Sequence, residues 1–328
     1  MRILVTGGSG FIGTNFVERA VRDGHEICDL SHLPPLRPEH DQYWHKLNLL
    51  DMDGLKSLLR EFKPEAVLHL AARAECDENT TVETGYRANT VGTANLLEAV
   101  RTTPSVKRLI VTSTQYVCGP GSLPTHDEDY FPHTVYGESK VKTERLTRNA
   151  DLNCAWTIIR PTNIWGPWHL RYRREFWKIA AKGLYVHPGK EPIVRAYGYV
   201  GNVVEQILSI LSHPAELVDR RTFYVGDEPD DIYRWANTFC VALCGRSAPK
   251  IPRPLLRCAA LLGDGISAVT KKPFYIQSSR YRSMVTDYRV DMSETLAKFG
   301  TGPFSLDDGV QKTARWLENY RPEAGSNR

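Results

Sequence analysis

The sequence lacks a long apolar run, a strong charge excess and paired cysteine motifs. No apolar run reaches the length needed to cross a bilayer, and the first residues predict a strand rather than a signal peptide, so we expect no membrane contact. The net charge is +4, from 42 basic and 38 acidic residues, which is too small to predict a nucleic-acid partner. The seven cysteines are scattered and include no CxxC pair, which is typical of a reduced, cytoplasmic protein.

Metal-ligating patterns are also missing. Cys240 and Cys244 lie one helical turn apart without a neighbouring histidine pair, so core packing explains them better than a metal site. We therefore expect no bound metal.

Apolar strands and helical segments alternate through the first half of the chain. The strands are predicted at 3–6, 26–30, 43–47, 66–70, 109–112 and 155–159. This order predicts an α/β fold with a doubly wound parallel sheet. Because 328 residues exceed one comfortable core, we expect the sheet domain at 1–162 and a smaller α/β substrate lobe at 163–328.

The second half is broken by prolines into shorter pieces. A helix at 200–211 and a strand at 221–225 are expected to return to the sheet, within a segment at 197–225. The apolar stretch 259–269 is interrupted by Gly263, Asp264 and Gly265, which predicts a short helix followed by a loop. Residues 306–320 predict an amphipathic helix.

The first thirteen residues contain a glycine-rich turn. Gly7, Gly10 and Gly13 directly follow the first predicted strand and precede a helical pattern. Glycines in this order permit a tight turn, a close approach of pyrophosphate to backbone N–H groups, and close packing of helix on strand. Asp29 ends the next apolar stretch, where a ribose-binding acid is expected. The stretch favours dinucleotide binding over an ordinary glycine turn.

Tyr136 and Lys140 are four residues apart, so on a helix they share one face. A free phenol titrates near 10, and a tyrosine that acts as a base at neutral pH needs its pKa lowered by about three units. A fixed ammonium group is a plausible source, although an exposed helical pair has the same spacing. Thr114 follows the strand at 109–112, where its hydroxyl can hold a substrate hydroxyl near Tyr136.

The motifs, taken in order, resemble those of the extended short-chain dehydrogenases/reductases, specifically the NAD-dependent nucleotide-sugar epimerase/dehydratase group. They are TGGSGFIG from Thr6, HLAA from His69, YRANTVGT from Tyr86, TSTQYVCG from Thr112, YGESK from Tyr136 and RPTNIWGP from Arg160. The resemblance implies a Rossmann-type domain, bound NAD and a nucleotide-diphosphate sugar as substrate.

The resemblance also implies a homodimer through a four-helix bundle. The helices involved would be those at 86–100 and 136–150. Their outer faces are expected to mix charged residues with Leu96, Leu97, Val141 and Leu146.

Cofactor contacts are assigned by the same resemblance. They would be made by Gly7, Gly10, Phe11, Ile12 and Gly13 to the pyrophosphate, Asp29 to the adenosine ribose, Asn48 and Leu49 to the adenine, and Leu70, Ala71, Ala72, Asn89, Tyr136 and Lys140 to the rest. Asp29 would repel a 2′-phosphate, and no arginine directly follows it. NAD is therefore favoured over NADP.

Thr114, Tyr136 and Lys140 occupy the catalytic positions of the family. Relatives that dehydrate their substrate carry carboxylates, or at least a glutamate, directly after the threonine position, where this chain has Gln115 and Tyr116. Because an elimination then loses its expected proton acceptor, the resemblance favours an epimerase that inverts C4 through a transient 4-keto sugar. Two alternatives stay open: a dehydrogenase or ketoreductase of a nucleotide-diphosphate sugar or sterol-like alcohol, and a non-catalytic NAD-binding protein.

Substrate contacts are implied at Arg73, Thr114, Gln115, Tyr136, Asn163, Arg195 and Arg282. Asn163 and Arg195 match residues that hold the diphosphate, a role that suits a guanidinium group. Arg282 is preferred to Arg280 as a second phosphate-binding arginine. Arg73 and the arginines at 171, 173 and 174 would suit an acidic sugar, although loop arginines are more often ordinary surface residues.

Overall fold

A computed structural model of the chain describes residues 1–122, 124–271 and 274–320. These residues form two units. Unit 1 contains Met1–Trp168, Gly198–Glu228 and Asp291–Pro303, and unit 2 contains His169–Tyr197, Pro229–Val290 and, among the described residues, 304–320. The first unit thus combines the predicted sheet domain and the returning segment with residues 291–303, which the sequence analysis assigned to the second lobe.

The elements of the first 168 residues alternate between strand and helix. The strands are β1 (Arg2–Thr6), β2 (Glu26–Ser31), β3 (Trp44–Lys46), β4 (Ala66–His69), β5 (Arg108–Thr112), β6 (Ala155–Pro161) and β7 (Asn163–Trp165). The α-helices are α1 (Phe11–Arg22), α2 (Met52–Phe62), α3 (Val82–Gly85), α4 (Thr93–Arg101) and α5 (Val135–Arg148). Short 3₁₀ turns lie at Pro38–Tyr43 and Gln115–Val117, and a π-helical turn at Ala88–Gly92 precedes α4.

The remaining elements are shorter and more irregular. In chain order they are α6 (Leu170–Tyr172), a π-helical turn (Arg173–Trp177), α7 (Lys178–Ala181), β8 (His187–Pro188), β9 (Val194–Arg195), β10 (Tyr197–Tyr199), α8 (Val200–Ser212), α9 (Ala215–Val218), β11 (Arg221–Val225), β12 (Asp230–Asp231), α10 (Ile232–Cys244), β13 (Lys250–Ile251), α11 (Arg253–Thr270), α12 (Ser278–Val285), α13 (Ser293–Phe299) and α14 (Leu306–Asn319).

Unit 1 is built on a seven-stranded sheet with the order β11-β6-β5-β4-β1-β2-β3. Every neighbouring pair in this sheet is parallel. The strand order reverses between β1 and β4, so a crevice forms there at the carboxyl ends of the strands, the usual ligand position in such sheets. The prediction of a doubly wound parallel sheet is confirmed.

Alternation along the strands sends apolar side chains to both faces of the sheet. On one face, Leu4 and Val67 pack with Leu55 and Leu59 of α2 and with Leu96 of α4. On the other face, α1 packs against α8, where the returning segment covers the sheet. Because both faces are buried, the strands are continuously apolar rather than alternating with polar residues.

The structure corrects the expected surface of α4 and α5. Leu96, Leu97 and Val141 are 0%, 5% and 6% exposed, and the first two belong to the main core. They were expected on outer faces, but Leu96 and Leu97 pack in the core against the sheet and Val141 packs with Val117 and Cys118. These three residues therefore do not support the prediction of a homodimer interface on α4 and α5.

The prediction for 259–269 was wrong, because α11 continues through this stretch without a break. Gly263 faces the protein, and a Cβ atom there would lie 1.8 Å from the carbonyl oxygen of Ile276. The glycine thus serves close packing rather than helix termination.

Unit 2 is organised around α10. This helix packs against α7 and α14, and Phe176 stacks on Trp235 with ring centroids 4.5 Å apart. The start of α14 is fixed by a capping box between Ser305 and Asp308. The unit thus has an aromatic core of its own.

Candidate active site

The glycine turn lies between β1 and α1, at the reversal of strand order. Gly7 has φ +76°, and its N–H donates to the carbonyl of Leu30 at 2.9 Å. A Cβ atom on Gly13 would lie 2.2 Å from the carbonyl oxygen of Gly7, so only glycine lets the helix start this close to the turn. Phe11 and Ile12 open α1, whose first turn holds no acidic residue. A helix start without acidic residues is suited to an anion.

Asp29 lies at the end of β2 beneath this turn. Its two carboxylate oxygens accept hydrogen bonds from the hydroxyls of Ser9, at 2.8 Å, and Ser31, at 2.6 Å. Burial raises the pKa of Asp29, and the bonds from Ser31 and Ser9 oppose that rise. The backbone N–H groups of Gly8 and Ser9 also bond to this carboxylate and oppose the rise, so Asp29 already has four donors in the chain alone.

The loop after β4 begins with a buried histidine. The Thr93 hydroxyl donates to the carbonyl of Asn89, so the Nε2–H of His69 donates to Thr93, while its Nδ1 lies 2.7 Å from the Thr6 hydroxyl. Burial, and secondarily the charge of Lys140, lower the pKa of His69 to about 3. It is therefore a neutral, satisfied core residue, and Leu70, Ala71 and Ala72 follow it half-buried at the strand end.

Asn89 is fully buried, and its side chain hydrogen bonds to two different segments of the site. Its side chain accepts from the backbone N–H of Arg73 at 2.8 Å and donates to the Arg73 carbonyl at 3.0 Å. It also donates to the Ser139 hydroxyl at 2.9 Å. The amide thus ties the loop after β4 to the helix that carries Tyr136. Sequence reasoning missed Ser139, although it lies inside the YGESK motif.

Two contacts position Tyr136 at the start of α5. The Thr134 hydroxyl caps the helix by accepting from the N–H of Gly137 at 2.9 Å. A Cβ atom on Gly137 would lie 2.4 Å from the carbonyl oxygen of Tyr116, so this glycine lets α5 approach the segment after β5. As a result the phenol of Tyr136 hydrogen bonds with Thr114.

The ionisation of this cluster is set by burial. Burial raises the pKa of Tyr136, and the hydrogen bond with Thr114 opposes the rise. Lys140 is 2% exposed, and its Nζ donates to the carbonyl of Thr112 at 2.7 Å. Burial lowers the pKa of Lys140 to about 8, with the charge of Glu144 opposing. In the chain alone the phenol is therefore protonated at neutral pH.

A buried carboxylate on the same face of α5 was missed by sequence reasoning. Glu144 lies four residues after Lys140 and accepts from the hydroxyl of Ser113 and from the guanidinium of Arg160. Tyr130 also donates to it, at 3.1 Å. The i, i+4 spacing from Lys140 is the signal that would have found it.

The other residues of unit 1 that are predicted to contact cofactor or substrate differ in their exposure to solvent. Gln115 is 1% exposed, while Asn48 is exposed and its side chain accepts from the N–H of Leu50 at 3.0 Å. Leu49 is buried in the core. Asn163 is half-buried at the start of β7.

The Arg73 side chain is engaged within unit 1. Its guanidinium donates to Asp77 at 2.9 Å and to the carbonyl of Gly85 at 3.1 Å. These contacts fix Arg73 in the loop after β4.

Unit 2 contains a separate pocket of about 140 Å³. It is lined by six aromatic side chains and by charged and polar residues, namely Tyr172, Phe176, Tyr185, Tyr197, Trp235, Tyr275, Glu175, Arg195, Arg280 and Ser283, together with Ile232 and Met284. The Nη1 of Arg195 donates to the Ser283 hydroxyl at 3.2 Å, and its Nε is buried without a hydrogen-bond partner in the described part of the chain. That orphaned donor is suited to an oxygen of a ligand.

The structure brings Arg280, rather than Arg282, to the pocket of Arg195. Arg280 lines the pocket and donates to the carbonyl of Tyr275 at 3.1 Å. Arg282 is exposed on α12 and is not part of the lining. The two arginines are two residues apart, and a sequence pattern alone does not distinguish them.

Residues 1–122, 124–271 and 274–320 contain no group of three or more histidine, cysteine or acidic side chains placed to hold a metal ion. Within the same ranges, none of the helices is long and apolar enough to cross a membrane.

Comparison with known proteins gives a family match over most of the chain. The model of the NAD dependent epimerase/dehydratase family matches residues 3–226. A 3-beta-hydroxysteroid dehydrogenase from Mycolicibacterium neoaurum is 27% identical over 267 residues, covering 76% of this chain and 72% of the relative. An N-acetyl-alpha-D-glucosaminyl-diphospho-ditrans,octacis-undecaprenol 4-epimerase from Escherichia coli is 26% identical, covering 96% and 94%. A dTDP-glucose 4,6-dehydratase from Xanthomonas campestris is 30% identical, covering 95% and 92%.

The fold is also similar to that of solved structures. A UDP-glucose 4-epimerase from Thermus thermophilus, solved in complex with NAD, superposes with a TM-score of 0.71. It is 23% identical, and the match covers 97% of this chain and 99% of that one. At this identity the likeness concerns the fold.

Proposed function

The chain belongs to the NAD dependent epimerase/dehydratase family, and we propose that it is an NAD-dependent epimerase of a nucleotide-diphosphate sugar, inverting C4 through a transient 4-keto sugar. The observation that carries the proposal is the cluster of Tyr136, Thr114 and Lys140. The phenol is bonded to the threonine hydroxyl, and the ammonium is held by the carbonyl of Thr112. This is an acid–base arrangement for a sugar hydroxyl.

NAD is the cofactor of this family, and the residues of unit 1 fit it. Gly7, Gly10 and Gly13 keep the turn close to the start of a helix whose first turn contains no acidic residue, a position suited to the pyrophosphate. Asp29 of β2 is proposed to contact the ribose hydroxyls, as the family resemblance implies. The chemistry that bound NAD would supply at this site is reversible hydride transfer with the sugar carbon.

Tyr136 is proposed to remove the proton from the sugar 4-hydroxyl, with Thr114 as the hydrogen-bonding bridge. Because burial raises the pKa of the phenol in the chain alone, added positive charge is needed for it to act as a base at neutral pH. Lys140 contributes fixed charge behind the site, and the nicotinamide ring of the oxidised cofactor is cationic. Tyr136 gives its proton back when the ketone is reduced.

Dehydration is disfavoured by the residues after Thr114. The structure has Gln115, 1% exposed, and Tyr116, whose ring lies edge-on to Tyr136 with centroids 6.2 Å apart. Neither is a carboxylate, so a proton acceptor for elimination at C5 is missing from these two positions.

The substrate class is argued from the pocket of Arg195. A diphosphate carries oxygens that suit the orphaned Nε–H of this guanidinium, and the aromatic lining suits a flat base. A sterol-like alcohol would not satisfy buried arginine donors. Asn163 stays a proposal for diphosphate contact on the family resemblance.

The test is a panel of UDP, GDP and dTDP sugars incubated with the purified chain without added cofactor, with products identified by NMR. We expect a C4 epimer to form and NAD to be released from the denatured protein. Turnover that required stoichiometric NADH would instead make the chain a net ketoreductase. A homodimer through α4 and α5 also stays a proposal, and light scattering at micromolar concentration tests it.

A further inference from the structure

The helix α11 presents an apolar face to solvent. Leu255, Leu262 and Val269 are 63%, 70% and 85% exposed, and Ile266 is 43% exposed. Their spacing of seven, four and three residues places them on one side of the helix. On an ordinary surface helix this outer side would be polar.

The inward side of the same helix contains the buried residues Leu256, Ala260 and Gly263 and is fixed by two polar side chains. The Ser267 hydroxyl accepts from the N–H of Phe274 at 2.8 Å, and Asp264 accepts from the N–H of Ser278 at 3.1 Å. Gly263 lies against the carbonyl of Ile276. These contacts fix the rotation of α11 about its axis, so the apolar side is held outward by specific bonds.

Positive charge is concentrated around this helix. Between Arg246 and Thr286 the sequence has one acid, Asp264, and eight basic residues, namely Arg246, Lys250, Arg253, Arg257, Lys271, Lys272, Arg280 and Arg282. The whole chain has 42 basic and 38 acidic residues, so the part outside this segment has 34 basic and 37 acidic residues. The segment therefore carries +7, while the rest of the chain carries −3.

We propose that the outer face of α11 docks on a membrane surface rich in anionic phospholipid. An exposed apolar helical face within a segment of net positive charge matches the boundary between acyl chains and charged headgroups. A second copy of this chain fits less well, because two copies would bring their +7 segments together. The sequence expectation of no membrane contact depended on the length of apolar runs, which a surface helix does not need. The proposal does not depend on the substrate.

Vesicle flotation with the full-length, NAD-loaded protein tests the docking. One set of vesicles contains equal parts of phosphatidylglycerol and phosphatidylcholine, and the other contains phosphatidylcholine alone. We expect binding to the anionic set that weakens as salt is raised. Leu262→Glu with Val269→Glu should lower the bound fraction by about tenfold or more, since both side chains are exposed and their replacement leaves the core intact.

A matched control places the same charge change elsewhere on unit 2. Leu184 and Val241 are 58% and 48% exposed, and Leu184→Glu with Val241→Glu should float like the wild type. Equal loss in both double variants, or no binding of the wild type to anionic vesicles, would overturn the proposal. So would a dimer in solution that only Leu262→Glu with Val269→Glu dissociates, in the absence of vesicle binding, because the face would then join two copies.

Discussion

Glu144 and Arg160 form a buried two-point ion pair beside the catalytic cluster. Both carboxylate oxygens accept from the guanidinium at 2.8 Å, and the side chains are 0% and 1% exposed. Glu144 accepts at the same time from Ser113, which directly precedes Thr114. The pair thus joins β6 and α5 to the segment that carries the catalytic threonine.

We expect Glu144→Gln to destabilise the protein strongly. Removing one partner leaves the Arg160 charge buried and unpaired, which costs about 3–5 kcal/mol in the free energy of unfolding. Urea denaturation measures this loss in the free energy of unfolding. The control is Glu98→Gln, which breaks an exposed pair with Arg101 and should leave the unfolding free energy nearly unchanged. If Glu144→Gln and Glu98→Gln lowered the free energy of unfolding by similar amounts, burial of the Glu144–Arg160 pair would not determine its contribution to stability.

His69 should make the stability of the protein sensitive to mild acid. Its pKa is about 3 in the folded chain and about 6.5 when unfolded, so the unfolded state binds more protons between these values. Stability from this residue is therefore present above pH 6.5 and is lost as pH falls, by about 2 kcal/mol between pH 7.5 and 5.

The measurement for His69 is urea denaturation at these two pH values. His69→Gln should reduce the difference in unfolding free energy by that amount. His126→Gln, which changes an exposed histidine, should retain the wild-type difference. If the difference in unfolding free energy between the two pH values were unchanged in His69→Gln, groups other than His69 would account for all of the pH dependence.

The sheet and the glycine turn could be predicted because their signals are local. Each buried strand is a short apolar run of its own, and Gly7, Gly10 and Gly13 follow the first of these runs directly. The sheet order and the position of the turn in the crevice then follow from general rules of parallel sheets.

Contacts between distant residues could not be predicted in this way. Asn89 and Ser139 are 50 positions apart, and Glu144 and Arg160 are 16 apart, so no periodicity within one element connects them. The Asn89 amide is engaged by the backbone of Arg73 and by Ser139, and its position along the cofactor stays a prediction. The outward apolar face of α11 was missed because Gly263 and Gly265 suggested a break, whereas Gly263 is a packing residue.

Gly13→Ala should weaken NAD binding at least tenfold. The added methyl group would lie 2.2 Å from the Gly7 carbonyl oxygen and would push the helix away from the turn that receives the pyrophosphate. Isothermal titration calorimetry measures the Kd. The control is Gly265→Ala, whose methyl group meets open space. A wild-type Kd in Gly13→Ala would remove the turn from the cofactor site.

Arg195→Gln should raise KM for the nucleotide sugar about tenfold or more while changing kcat less, since the arginine is proposed to bind phosphate oxygens away from the reacting carbon. Initial-rate measurements with the sugar that the panel identifies give both values. Arg282→Gln is the matched control, because Arg282 lies outside the pocket that Arg195 lines. If Arg282→Gln raised KM and Arg195→Gln did not, the pocket would not be the diphosphate site.

Tyr136→Phe should retain NAD and lose about 10²- to 10⁴-fold in kcat, because the phenol is the proposed acid–base group. Tyr116 provides a close control, since its ring touches that of Tyr136 but its hydroxyl is given no role in epimerisation. Tyr116→Phe should therefore keep most of the rate. The same pair separates the reactions: in a dehydratase that used the Tyr116 hydroxyl in place of a carboxylate, Tyr116→Phe would abolish release of water. Full activity in Tyr136→Phe with bound NAD would exclude this tyrosine from the chemistry and leave Thr114 and Lys140 without the base they are arranged to support.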